Sequence, residues 1–571
     1  MPVVIKDRIL YPPSGVQVEP KLIDLGGNNI GEEVLKRFRN TLEQHGDYEW
    51  LINGPYDLTG TTSTCGVRRK RISEIEVQAR QVASSFYQNG LRKGDVVHLV
   101  IPNNTEYHIT VIGAWLCEAT VSLGDPGLSL KVMETQLKDT QAKFVVCFDG
   151  SRKVVYEALK NLHLLGQVQV LVLELACPRQ GQDQPIIEPG FRFYKDFLCQ
   201  VGDQPVPKLQ NGPLQDDEIF VIFWSSGTTG VPKGIQHCVK YFRKMVPDYQ
   251  ERGSKSPLFS TYLQSTCYFH VGGFISPMNA ITHPLSFVFN HDKDLDENPT
   301  QLLFKQVDRF KPYMMICGSH HLVQLSQAKP DYPYDLSSVR LVSPMGNTVP
   351  HDLFDTLKPC LTNLYTIYHY YGMTEAGGIM AKTFDVRHLG DIAEGIVLKL
   401  VDPETNELCD VDEVGEILAN CGINMKGYLN RPEENANFFA PHGFIHTGDL
   451  AHYDAKGFLY FDGRLKDLIK YKNCHLYPLE IEQVIGQHPD VIEAGVFGRP
   501  DPTVQEYVTA LVVKSSESTV TEQDIIELVS QHVDDAKKLR GGVVFIDKLP
   551  KNPQGKLLRR ELLKIWRSLQ K

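Results

Sequence analysis

No two of the twelve cysteines in this sequence stand at Cys-x-x-Cys spacing, and several lie inside apolar runs such as Phe144-Val145-Val146-Cys147-Phe148. That pattern excludes a zinc ribbon and a disulfide framework, and fits buried, reduced thiols. No uncharged apolar run approaches the roughly 18 residues of a membrane span. An excess of positive charge is also missing. With 59 Lys and Arg against 69 Asp and Glu, the net charge is −10, so a general electrostatic grip on nucleic acid or an anionic membrane is excluded and any anionic ligand must be held locally. Low-complexity tracts and internal repeats are absent. The 45 Gly and 34 Pro are far from a collagenous or linker-dominated share. Met1-Pro2-Val3-Val4-Ile5-Lys6-Asp7 puts charge where a signal peptide needs apolar residues, and Leu569-Gln570-Lys571 is not a Ser-Lys-Leu type of address, so a cytosolic location is expected.

What is present is an ordinary globular composition, 42% hydrophobic and 22% charged, over 571 residues, enough for about three or four globular units. Apolar residues at Ile75, Ala79, Val82, Ala83 and Phe86 predict an amphipathic helix from Ser73 to Asn89, opened by a Ser73-x-x-Glu76 capping box and closed at Gly90. A strand from Val96 to Ile101, a helix near His108 to Glu118 and a strand from Phe144 to Phe148 continue a β-α-β alternation, which predicts a parallel sheet with helices on its faces. Cys177 to Gly190 and Gly202 to Pro213 read as surface loops, and Arg68-Arg69-Lys70-Arg71 as a solvated loop ahead of a helix. Strand-helix alternation resumes through residues 265–375. From Gly395 the pattern turns to shorter strands, including Val397 to Val401 and Gly415 to Ala419. The last hundred residues mix strand and helix, with strands at Val491 to Phe497, Tyr507 to Val513 and Gly542 to Ile546 and a helix from Glu522 to His532.

The segment richest in chemistry follows the strand-like run Ile219 to Trp224: Ser225-Ser226-Gly227-Thr228-Thr229-Gly230-Val231-Pro232-Lys233-Gly234. Its glycines let backbone N–H groups turn toward an anion, its hydroxyls add donors and Lys233 adds a positive charge, which together make a phosphate cradle. It is not a Walker A loop, because Gly234 and not Ser or Thr follows Lys233. The adjacent pair His320-His321 is a poor metal site, since neighbouring histidines on a strand-to-helix turn rarely converge on one ion.

The decapeptide resembles the phosphate-binding signature of the adenylate-forming superfamily, which holds acyl-CoA synthetases, 4-coumarate-CoA ligases, firefly luciferases and peptide-synthetase adenylation domains. Four further segments match that family in order: Tyr371-Gly372-Met373-Thr374-Glu375, His446-Thr447-Gly448-Asp449, the hinge-like Gly463-Arg464-Leu465-Lys466-Asp467, and Asn552-Pro553-Gln554-Gly555-Lys556 near the C-terminus. The resemblance covers about residues 45–565. It implies an α/β fold: a large N-terminal domain over 1–463, of stacked α/β subdomains plus a β-rich part, a hinge at 464–466, and a small mobile α+β domain over 467–571. It also implies two half-reactions. A carboxylate attacks the α-phosphate of MgATP to give an acyl-adenylate and pyrophosphate, and a thiol, usually that of CoA, then displaces AMP. The resemblance makes Lys556, Thr374 and His270 the catalytic candidates. It assigns ATP or AMP to Ser225, Ser226, Gly227, Thr228, Thr229, Gly230, Lys233, Tyr371, Gly372, Met373, Glu375, Asp449 and Arg464. Glu375 is the expected Mg²⁺ ligand, Asp449 the acceptor for the ribose hydroxyls, Tyr371 an aromatic face for adenine and Lys466 the pivot. His270 sits in a Phe-His segment typical of the luciferase and coumarate-ligase branch, where it walls the acyl pocket.

Two departures stand out. Lys470-Tyr471-Lys472-Asn473-Cys474-His475 has Asn473 and His475 where the family carries glycine and glutamine, and the resemblance makes Lys470, Asn473 and His475 the CoA- or adenylate-proximal set. Ser343-Pro344-Met345-Gly346-Asn347 differs from the family's Gly/Ala-rich adenine loop. Gly272, Gly273, Gly346, Gly377 and Gly378 fall in segments that approach the acyl pocket in relatives, and small neutral walls suit a long or bulky apolar acid. The implied partners are a carboxylic acid, ATP, Mg²⁺ and CoA, without nucleic acid. The competing functions are a luciferase-type monooxygenase acting on the adenylate and an inactive acyl- or nucleotide-binding homologue. A medium- or long-chain fatty acid or an arylalkenoic acid is the expected substrate.

Overall fold

The computed structural model describes residues 4–12, 22–53, 68–174, 187–199, 214–225, 232–253, 256–289, 299–327, 333–346, 349, 352–472, 474–515, 518–551 and 556–569. The predicted β-α-β alternation is realised in two sheets. In the first, the strands Val96–Val100, Thr120–Leu123, Phe144–Phe148, Gln169–Leu173 and Phe191–Phe193 run parallel with Ile219–Trp224, and Gly234–Cys238 and Gly427–Tyr428 close one edge antiparallel. In the second, Glu49–Asn53, Thr261–Gln264, Ser286–Phe289, Met314–Gly318, Leu341–Met345 and Thr366–Ile367 are parallel. Most of these strands are buried along their length, as parallel strands covered on both faces must be. The helix Tyr107–Leu116 is buried at every position, and its aromatic and β-branched residues join one large core that also holds Trp50, Phe223 and Phe274. A helix apolar all round has no solvent side to present, which suits a place inside the molecule.

The amphipathic helix spans Ile72–Gln88 and buries Ile75, Ala79, Val82, Ala83 and Phe86 as its spacing requires, each of the larger side chains contributing about 2 kcal/mol. Its cap differs from the expected one. Glu74, not Glu76, accepts from the Arg71 backbone N–H at 2.8 Å, Ser73 Oγ donates to Asp47, and Glu76 is taken by Arg39 and Arg80. The basic run also departs from the solvated loop expected of it. Arg68–Arg71 is an edge strand antiparallel to Glu49–Asn53, where Glu49 pairs with Arg69 and Asp47 with Arg71 at 2.6 Å. These carboxylates come from a segment upstream in the chain and supply the countercharge that four consecutive cations lack locally.

Beyond residue 390 the shorter strands form a six-stranded antiparallel sheet of Val397–Val401, Gly415–Asn420, Ile445–Tyr453 and Leu459–Arg464, completed by the N-terminal hairpin Val4–Lys6 and Ile9–Tyr11. Asp7 and Arg8 both take positive φ at the hairpin tip, the geometry that matches the twist of the flanking strands. Residues after 468 build a separate five-stranded sheet, including Ile469–Tyr471, Cys474–Leu476, Val491–Asp501, Gln505–Lys514 and Val543–Phe545, with a core of its own around Ile481, Ile485, Val512 and Ile525. Among the described residues no helix is long and apolar enough to cross a membrane.

Candidate active site

Ile219–Trp224 and Gly234–Cys238 are antiparallel partners with Trp224 opposite Gly234, so Ser225 and Lys233, the described ends of the polar decapeptide, stand where the two strands of a hairpin finish. Its two ends are tied together: Ser225 N–H donates to the Lys233 carbonyl at 2.9 Å, and Lys233 N–H donates to Ser225 Oγ at 3.0 Å. Ser226, Gly227, Thr228, Thr229 and Gly230 lie outside the described residues. The Lys233 ammonium stands 4.9 Å from the centre of the Tyr428 ring and 4.0 Å from the Glu434 carboxylate.

A second hairpin carries Tyr371, Gly372, Met373, Thr374 and Glu375. His369–Met373 pairs antiparallel with Gly378–Thr383, with a bulge between Tyr371 and Gly372. Gly372 is required there, because a Cβ would fall 1.9 Å from the Gly378 carbonyl oxygen. The turn from Thr374 to Gly377 is held from outside by four groups that the sequence alone does not single out. His237 Nε2 lies 2.8 Å from the Thr374 carbonyl oxygen, Tyr241 OH donates to the Gly377 carbonyl at 2.8 Å, Met425 N–H donates to the Glu375 carbonyl at 2.8 Å, and Tyr428 OH donates to Glu375 Oε1 at 2.9 Å. Burial pushes His237 down to about 4, so the ring is neutral, and a carbonyl partner fixes the proton on Nε2. Burial also raises the Glu375 carboxyl, against the Tyr428 hydrogen bond and the Arg464 charge, which lower it.

The third and fourth segments meet by strand register. Ile445–Tyr453 and Leu459–Arg464 are antiparallel with Asp449 opposite Arg464, and Arg464 Nε lies 3.0 Å from Asp449 Oδ1. Tyr371 OH donates to Asp449 Oδ2 at 3.0 Å, so Tyr371 belongs to the Asp449 cluster through its hydroxyl. Burial raises the Asp449 carboxyl while Arg464 opposes it. The loop before Asp449 is pinned as well. Thr447 Oγ1 accepts from Asp449 N–H, and the buried Glu416 accepts from Gly448 N–H at 3.0 Å and lies 2.9 Å from His446 Nδ1. Thr447, Gly448, Arg464, Leu465 and Lys466 line an open pocket here.

Lys556 reaches this same cluster. Burial and the Arg464 charge depress its ammonium to about 8, while Asp449, Asp467 and Glu375 act the other way. Lys466 is likewise lowered to about 8, by burial and then Arg464. Thus Glu375, Asp449, Arg464, Lys466 and Lys556, from segments far apart in the chain, share one electrostatic neighbourhood, and Thr374 is the residue next to Glu375 in the same turn. His270 is the residue before the helix Val271–Met278; burial lowers it to about 4, and its buried Nε2 has no hydrogen-bond partner among the described residues.

Of the CoA- or adenylate-proximal set, Lys470 and His475 are not gathered there. Lys470 is exposed, its N–H donating to Glu506 at 2.8 Å, and His475 Nδ1 lies 3.8 Å from Glu404. Asn473 lies outside the described residues. His321 Nδ1 is 2.8 Å from Thr300 Oγ1. Of the glycines expected to form open walls, Gly273 answers instead to a close backbone approach, since a Cβ there would sit 2.0 Å from the Cys267 carbonyl oxygen.

Known proteins share the sequence pattern and the fold. The profile of the AMP-binding enzymes matches residues 38–429, and that of the AMP-binding enzyme C-terminal domain matches residues 480–556. The chain is 34% identical over 525 residues to 4-coumarate–CoA ligase-like 9 of Arabidopsis thaliana, covering 90% of this chain and 86% of that one. It is 29% identical to 4-coumarate–CoA ligase 1 of Petroselinum crispum, covering 90% and 91%. The fold matches that of the anthranilate CoA ligase AuaEII solved with anthranoyl-AMP, at TM-score 0.77 and 22% identity over 95% of this chain and 98% of that one. The Mycobacterium tuberculosis fatty acyl CoA synthetase matches at TM-score 0.66 and 20% identity, over 95% and 100%. A profile match over more than half of the residues, joined to whole-length similarity of this kind, makes the chain a member of the AMP-binding enzyme family.

Proposed function

We propose that the chain is an AMP-forming acid–thiol ligase, which activates a carboxylic acid with ATP to an acyl-adenylate and transfers the acyl group to CoA. The observation that carries this reading is the shared field of Lys556 with Asp449 and Glu375. As the carboxylate oxygen attacks, negative charge builds on the α-phosphate and pyrophosphate leaves. The Lys556 ammonium stabilises that charge and orients the attacking carboxylate. Thr374 offers its hydroxyl to the same phosphate, and the phosphate hairpin with Lys233 holds the leaving pyrophosphate. Asp449 is the acceptor for ribose hydroxyls, with Arg464 beside it, and Tyr371 orients Asp449 while its ring borders the base.

Mg²⁺ fits Glu375. Among the described residues no three His, Cys, Asp or Glu side chains converge on one point, and a hard cation on a single carboxylate takes its remaining oxygens from the nucleotide phosphates and water. Bound there, it would neutralise polyphosphate charge. Glu375 is held in place for that role by Tyr428.

The division at 1–463, 464–466 and 467–571 belongs to this reading and is supported by the separate core of the last sheet. So does the substrate, an apolar fatty or arylalkenoic acid. Relatives named as 4-coumarate–CoA ligases and a fatty acyl CoA synthetase of the same fold support that class. The test is pyrophosphate release over a panel of acetate, an α-amino acid, octanoate, palmitate and coumarate, with and without CoA. Release should depend on the acid, favour the apolar acids, and yield AMP and an acyl-CoA when CoA is present. Highest efficiency with acetate or the amino acid would overturn the substrate class, and no acid-dependent release would overturn the function.

A further inference from the structure

One side chain outside the five motifs touches two of them. Tyr428 is buried in the two-residue strand Gly427–Tyr428 at the edge of the first sheet, next to the phosphate hairpin. Its hydroxyl donates to Glu375 Oε1 at 2.9 Å, and its ring face lies under the Lys233 ammonium at 4.9 Å. A phenol can do both at once because its O–H lies in the ring plane while its π-cloud lies above it.

The ring itself is set by its surroundings. Asn435 grips the Tyr428 backbone on both sides: Tyr428 N–H donates to Asn435 Oδ1 at 2.7 Å, and Asn435 Nδ2 donates to the Tyr428 carbonyl at 3.0 Å. Tyr428 pairs with Ile235 across the strands, and Leu429 N–H donates to the Gly234 carbonyl at 2.7 Å. Phe438 packs edge-on against the ring at 5.4 Å. Glu434, the residue before Asn435 on the helix Pro432–Phe438, faces the Lys233 ammonium at 4.0 Å. Backbone, ring and helix therefore fix Tyr428 independently of Glu375 and Lys233, which is what a reference point for those two groups requires.

We infer that Tyr428 is a positioning residue for nucleotide activation, fixing the Glu375 carboxylate with its hydroxyl and the Lys233 ammonium with its ring so that both meet the polyphosphate at a set separation. The inference rests on the function proposed above and adds to it a residue that touches neither substrate nor metal.

The test is calorimetric titration of Mg·ATP into the full chain without acid, using wild type, Tyr428→Phe, Glu375→Gln and the double variant. Tyr428→Phe keeps the ring and removes only the oxygen, so it should weaken Mg·ATP binding by about tenfold, the worth of a hydrogen bond to a charged group. Because it acts through Glu375, the double variant should bind no more weakly than Glu375→Gln alone. Metal-free pyrophosphate reads the other half: Tyr428→Phe should bind it like wild type, and Tyr428→Leu about threefold more weakly, in line with loss of a cation–π contact. Wild-type Mg·ATP affinity in Tyr428→Phe, or losses that multiply in the double variant, would overturn the inference. If Tyr428→Leu does not fold, the phenylalanine cycle still decides. A wild-type chain that binds Mg·ATP but releases no pyrophosphate with any acid would instead refute the proposed function and leave the cycle readable.

Discussion

Lys556, the proposed catalytic cation, stands in a place that disfavours cations. Burial and Arg464 bring its ammonium down to about 8, and the carboxylates of Asp449, Asp467 and Glu375 only partly restore it. A lysine lowered in this way is charged below that value and loses its proton as pH rises through it. The apparent second-order rate constant for ATP, which reports the free enzyme, should therefore fall about tenfold per unit above pH 8. Lys466 titrates in the same range and feels the same arginine, so the limb belongs to a coupled pair until a variant separates them. Lys556→Arg keeps its charge throughout and should remove most of the limb, measured as rate against pH from 6 to 10. A wild-type profile flat to pH 10 would contradict the assignment of a titrating lysine. The residues flanking Lys556 show how far sequence alone reaches. Asp449, Arg464 and Glu375 stand in recognisable runs, whereas His237, Tyr241, Glu416 and Tyr428 hold the site through backbone carbonyls, a loop N–H and a carboxylate far away in the chain. No local pattern records a contact of that kind.

At the scale of elements, the strands Phe144–Phe148, Ile219–Trp224 and Val397–Val401 and the helix Glu522–His532 are legible to the residue. Continuous apolar runs mark the first two, Val397–Val401 is apolar but for Lys399, and in the structure Thr521 caps the helix. The N-terminal hairpin is not legible, since three-residue strands carry no period and their partner Val397–Val401 lies far along the chain. Arg68–Arg71 misleads because its countercharges come from Asp47 and Glu49. The turn Leu465–Asp467 between Leu459–Arg464 and Ile469–Tyr471 is the element on which the proposed two-step chemistry depends. If it is the pivot, Lys466→Pro, which fixes one backbone torsion, should leave pyrophosphate release within about twofold of wild type and slow acyl-CoA formation about tenfold or more. Rapid-quench measurement of both products in one reaction separates the steps, and an equal loss in both would refute the pivot.

Over the whole molecule, the order of the motifs is plain in the sequence, but their meeting is not. Asp449 faces Arg464 because of one strand register, and Lys556 joins them from a body with its own core. In this arrangement Lys556 stands in the field of Asp449 and Glu375, while His475, on the same body, faces Glu404 in the turn after Val397–Val401. On the proposed two-step reading, this placement of Lys556 serves adenylation, and thiol attack calls for a different placement of that body. The measurement that tests the account most directly uses Lys556→Ala with two starting points, acid plus ATP or preformed acyl-AMP plus CoA. Pyrophosphate release from acid and ATP should fall by about a hundredfold or more, with ATP affinity nearly intact, while acyl-CoA should form from acyl-AMP at close to the wild-type rate. Unchanged pyrophosphate release, or equal loss from both starting points, would contradict it.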